Sequence, residues 1–170
     1  MPTTSFVRSL LLAVLIVPAV STASDTGLEL LRTAADKGDC AIPYEGKQEP
    51  AVALTASAYD LPSVSPQEVI QLLDRFIGNG CSIHAADSNG TSPVNVAVLS
   101  SQPELLNYLL EKGADPTTTI VSARQWANGK NSLEFAELIF RTKPSSSRAA
   151  VVDILKRYES AVSSSSAKAE

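Results

Sequence analysis

The chain has 170 residues, a formal net charge of −4, and 44% hydrophobic but only 5% aromatic residues. That hydrophobic content excludes global disorder, and the length suits one domain or a short repeat array. An acidic balance without a basic stripe argues against nucleic acid as a partner, and so few aromatics argue against a large aromatic-lined pocket.

Residues 1–23 read as an export signal. Arg8 is their only charge, Leu10–Val17 is an uninterrupted apolar run, Pro18 breaks it, and Ser21-Thr22-Ala23 offers small residues for cleavage. The run is short for a bilayer, and the rival reading is an uncleaved N-terminal anchor. No Cys follows it, so a lipoprotein signal is not indicated. Cleavage after Ala23 leaves 13 basic and 18 acidic side chains, a net charge of −5, and no expected membrane segment. The two cysteines, Cys40 and Cys81, suggest a disulfide in an exported chain, with two buried free thiols as the alternative. His84 is the only histidine and no Cys-x-x-Cys occurs, so neither a metal site nor a cofactor is expected.

The first expected helix is Gly27–Lys37, with Leu28, Leu30, Leu31, Ala34 and Ala35 apolar. Cys40–Pro50 has no helical period and reads as an irregular connection. Ala51–Tyr59 is small and apolar, a second helix. Pro66–Ile77 is a third, with Ser65 as N-cap, Pro66 in the first turn and Glu68 completing a capping box. Asp87-Ser88-Asn89-Gly90 is a turn, after which Thr91 or Ser92 caps a short helix that starts with Pro93. Ser100, Ser101 and Pro103 break that helix. Glu104–Lys112 then sets Leu105, Leu106, Leu109 and Leu110 on one face, and Gly113 ends it. A loop over Thr117–Asn128, a helix from Asn131, a long link at Thr142–Arg148 and a helix over Ala149–Tyr158 follow. Residues 161–170, rich in serine, read as a disordered tail.

Asp87–Pro116 resembles an ankyrin repeat. Ser92-Pro93-Val94-Asn95-Val96-Ala97 stands where that family has Thr-Pro-Leu-His-x-Ala, and Leu109-Leu110-Glu111-Lys112-Gly113-Ala114-Asp115 matches its Leu-Leu-x-x-Gly-Ala-Asp. Ser92, Val94 and Asn95 are mild departures. Gly80 and Gly113 lie one repeat length apart. Cys81 falls at the usual Ala position and His84 at the Asn position of the preceding connection, so the resemblance gives His84 a loop-bracing role. Ala34–Asp39 is similar to the end of an inner helix, and Asn131–Ala136 to the start of another. The third finger loop is stretched by six residues relative to the second. The resemblance implies an all-α, ankyrin-like helix–turn–helix solenoid of about three to four repeats over residues 24–160.

Ankyrin arrays usually bind proteins through their finger tips and inner helices. Carried over, that surface comprises Ser88, Asn89, Thr91 and Asn95, extended by Arg124, Gln125, Trp126, Asn128 and Lys130. Trp126 reads either as an exposed anchor for a partner or as a lid on the end of the stack. The expected function is non-enzymatic protein binding by a monomeric chain in the periplasm or outside the cell. Its sharper form is an inhibitor or immunity-type protein that neutralises a toxin or hydrolase. An accessory scaffold for another exported enzyme is the alternative. An enzyme using His84 is a third class, weakened by the lack of a partnered base or nucleophile.

Overall fold

Helix α4 (Pro93–Ser100) sits at the centre of the molecule, and its sequence says why. Every residue from Pro93 to Val98 is buried, and only Leu99 and Ser100 at its C-terminal end reach solvent. It packs against α2 (Ala51–Ser57) on one side and α6 (Ser132–Thr142) on the other. These three helices form an inner row. Each pairs with the helix that follows it: α2 with α3 (Pro66–Gly78), α4 with α5 (Pro103–Glu111), and α6 with α7 (Ser146–Ser166). Helices α3, α5 and α7 form an outer row, headed by α1 (Ala23–Lys37). The computed structural model describes residues 23–166, so the export-signal reading of residues 1–22 lies outside the described residues.

Apolar spacing produces the outer row. Val69, Leu72, Leu73 and Phe76 of α3 and Leu105, Leu106, Leu109 and Leu110 of α5 recur at three- and four-residue intervals and are all buried. Gly113 ends α5's turn with a φ of 90°. Ser101, at φ 58°, ends α4 in the left-handed conformation. The outer row is stitched on its solvent side. Arg32 of α1 pairs with Glu68 of α3, Arg75 of α3 with Asp36 of α1, and Asp74 of α3 with Lys112 (2.6 Å) and Tyr108 (3.0 Å) beside it.

The plain all-α solenoid expected from the sequence is corrected by a two-stranded antiparallel sheet, β1 (Ala41–Tyr44) and β2 (Lys47–Pro50), inserted between α1 and α2. The segment expected to be irregular is therefore a hairpin. Its two-residue turn, Glu45-Gly46, has φ values of 49° and 76°, the paired positive angles of a type I′ turn. Ala51 N–H donates to the Cys40 carbonyl at 2.9 Å, which fixes the alternation of the ladder. Pro43 and Pro50 then fall at positions whose N–H would point away from the partner strand, so neither costs a ladder bond.

Four further expectations are corrected. Glu68 does not complete a capping box on α3, because its carboxylate is taken by Arg32, while Ser65 Oγ donates to Gln67. The reciprocal capping box occurs instead at Asn131 and Glu134, which open α6. The link between α6 and α7 is only Lys143–Ser145, and α7 continues to Ser166, past the point where a disordered tail was expected. Finally α1, read as the end of an inner helix, heads the outer row: Arg32 and Asp36 pair with Glu68 and Arg75 of α3, and the Ala35 carbonyl accepts from Asn79 in the turn after it.

Candidate functional site

Each inner-row helix is preceded by a finger. The first is the β1–β2 hairpin, the second Asp87–Thr91, and the third Thr117–Lys130. The second is wound around one carboxylate: Asp87 Oδ1 accepts the N–H groups of Asn89 (2.9 Å) and Thr91 (2.8 Å). In the third, Ile120 and Ala127 are buried anchors. Ile120 N–H reaches the Lys130 carbonyl at 2.9 Å, and Gly129 N–H returns to the Ile120 carbonyl at 2.8 Å, closing the neck of the loop.

The fingers are interlocked side by side. Between first and second, Ser88 N–H donates to Glu49 Oε2 at 2.8 Å and Lys47 Nζ donates to Ser88 Oγ at 3.1 Å. Hydrogen bonding by the Ser88 side chain holds the buried Glu49 carboxyl below its ordinary range. Burial opposes that shift, and the Ser88 N–H and Lys47 add to it. Between second and third, Gly90 at φ 77° lies against the backbone of Val121. A Cβ there would overlap the Val121 carbonyl oxygen, so this position needs glycine on two counts. On the surface, Asp115 N–H donates to His84 Nδ1 at 3.4 Å, a brace between successive loops.

The sequence-predicted residues distribute unevenly over this surface. Ser88 and Asn89 are exposed at the second finger, with Thr91 half-buried beside them. Arg124, Gln125 and Asn128 are exposed on the third, and Asn128 Oδ1 accepts the Ser122 N–H at 2.9 Å. Lys130 is half-buried at its neck. Trp126 is both packed and exposed. Its ring stacks on Phe135 of α6 at 5.7 Å and 23°, yet 49% of its surface stays exposed. Asn95 is corrected: only 1% of it is exposed, so it is no contact residue. It links α4 to α6 instead, donating to Ser92 Oγ at 3.1 Å and accepting from Ser132 Oγ at 2.9 Å.

Two residues of the surface escape a reading based on polar tips. Val121, 78% exposed, and Tyr44, 43% exposed, are apolar points on the third and first fingers. Tyr44 was hidden by the missed hairpin. The remaining sequence expectation here is covalent: Cys40 and Cys81 form a disulfide across 41 residues, joining the base of the first finger to the loop after α3. Such bonds persist in oxidising compartments. Among the described residues no helix is long and apolar enough to cross a membrane. No protein-family model matches the chain, and no curated protein matches it either.

Proposed function

We propose that this chain is a non-enzymatic protein-binding module, related to the ankyrin repeats it resembles, that grips its partner with the finger row. The observation that carries this reading is the interlocking of three fingers around Ser88 and Gly90, with Tyr44, Val121 and Trp126 left partly exposed among polar tips. A row braced in this way loses little entropy when it docks, and exposed aromatics flanked by Arg are the residues from which interface hot spots are built. The Cys40–Cys81 bond supports a working place in an oxidising compartment, the periplasm or the outside of the cell. In its sharper form the reading is an inhibitor or immunity-type protein that blocks a toxin or hydrolase reaching that compartment. An accessory scaffold that stabilises an exported enzyme is the second reading, favoured by nothing specific in the finger geometry.

The test is co-purification under non-reducing conditions, with a Trp126→Ala, Arg124→Ala double variant alongside. The expected outcome is one exported protein retained by the wild type and lost by the variant, whose own activity falls when the chain is added. Retention by both chains would move the contact away from the third finger. A partner whose activity rises or is merely preserved would select the scaffold reading.

A further inference from the structure

At the head of the stack an open groove of about 330 Å³ lies between α1 and α2. Leu30 and Leu31 of α1, Tyr44 of β1, Leu54 of α2, and Leu61 and Val64 from the segment after α2 line it, and no charged side chain does. Leu61 and Tyr44 stand 44% and 43% exposed at its rim. The architecture says what shape is missing. Helices α3, α5 and α7 each have an inner-row partner before them, in α2, α4 and α6, but α1 has none among the described residues. The groove occupies the place that an inner helix ahead of α1 would fill.

Charge says what chemistry would fill it. Residues 23–115 carry 13 acidic and 5 basic side chains, whereas residues 116–170 carry 5 acidic and 8 basic ones. Because stack order follows chain order, the groove lies at the acidic end of a polarised molecule. Glu29, Glu45 and Asp60 stand next in sequence to its lining residues; Glu29 shares the nearby Arg32 with Glu68, and Asp60 Oδ1 accepts from Gln102 at 2.7 Å, which leaves its charge unneutralised. We propose that this groove receives an amphipathic α-helix of a partner protein whose polar face is basic. Its apolar face packs on the leucines and Tyr44 in the helix-in-groove mode, and its cations meet the acidic rim. The inner helices are 7, 8 and 11 residues long, so a segment of two to three turns completes the row. The proposal deepens the protein-binding reading and shares its premise that the ligand is a protein, but it uses a surface that does not include Trp126.

The experiment is fluorescence anisotropy of a labelled Leu/Lys amphipathic helical peptide with the full chain, beside a Leu/Glu peptide of the same pattern. Saturable binding of the Leu/Lys peptide is expected, weakening as salt is raised, with the Leu/Glu peptide at least about tenfold weaker. Leu61→Ser and Tyr44→Ser should each weaken it by about tenfold. The two changes are at partly exposed positions, so circular dichroism should show both variants folded. The Trp126→Ala, Arg124→Ala chain should bind as wild type, which separates failure here from failure of the finger reading. Absence of binding, equal binding of both peptides, or indifference to both rim variants overturns the proposal. So does self-association of the chain that Leu61→Ser abolishes, because the occupant would then be a second copy.

Discussion

Strands hold the first finger by register, whereas the third finger is held by local turns and by what its side chains reach. In the hairpin, main-chain pairing from Ala41–Pro50 to Tyr44–Lys47 sets the shape, and a disulfide at Cys40 fastens the base to the next loop. The third finger has two main-chain bonds across its neck and three local turn bonds to the Arg124 and Ala127 carbonyls, and beyond them Asn128 on the Ser122 N–H, buried Ile120 and Ala127, and Trp126 stacked on Phe135. The second finger stands between them and touches both, through Ser88 on one side and Gly90 on the other. A loop without a ladder can therefore still be placed well, provided its neighbour leaves room for backbone-to-backbone contact.

The comparison breaks most clearly at the disulfide. Replacing Cys40 and Cys81 by Ala should lower unfolding stability by about 4 kcal/mol, the loop-closure value for a bond spanning 41 residues. Urea denaturation measures it, and a loss below about 1 kcal/mol would mean that the ladder alone secures the first finger. Next in size is Gly90→Ala. It combines a strained positive φ with overlap against the Val121 carbonyl, and about 2–3 kcal/mol should be lost. Hydrogen exchange should show faster exchange at Ile120 and Gly129 while the hairpin amides keep their protection. Equal loosening of both fingers would show that they are coupled rather than separately held.

The smallest effect sharpens the joint between the first two fingers. Glu49 titrates below its ordinary range when folded, so its contribution is complete above the usual Glu pKa and is lost as pH falls through the lowered folded value. Between about pH 5 and pH 3 the urea midpoint of the wild type should therefore fall more steeply than that of Glu49→Gln. Parallel slopes would remove Glu49 from the joint.

Legibility in the sequence followed the range of the interactions. Helices α3, α4 and α5 could be read because their determinants are local: Pro66 and Pro93 at helix starts, leucines at helical spacing, and glycines at 80 and 113. The hairpin could not. Its turn places Glu45, not Gly or Asn, at a positive φ, two prolines interrupt the strands, and the inward residue of β2 is Glu49, which looks like a surface side chain until Ser88 is known to meet it. Asn95 misled for the same reason, since its partner Ser132 lies 37 residues away. Glu68 was assigned to its own helix end, whereas the chain spends it on Arg32, 36 residues distant. In the binding surface, the third-finger residues were legible as an insertion, and Tyr44 was not, because its exposure depends on a strand that local periodicity does not announce.

Pro43 has a consequence for how this molecule keeps company. The outer edge of β1 faces no other strand of the sheet, and an open edge is the usual template on which neighbouring chains add a strand of their own. Proline at the position whose N–H would face outward withholds the donor such an addition needs. Pro43 thus makes this edge a poorer template for strand addition, which favours partners that recognise the hairpin by its side chains.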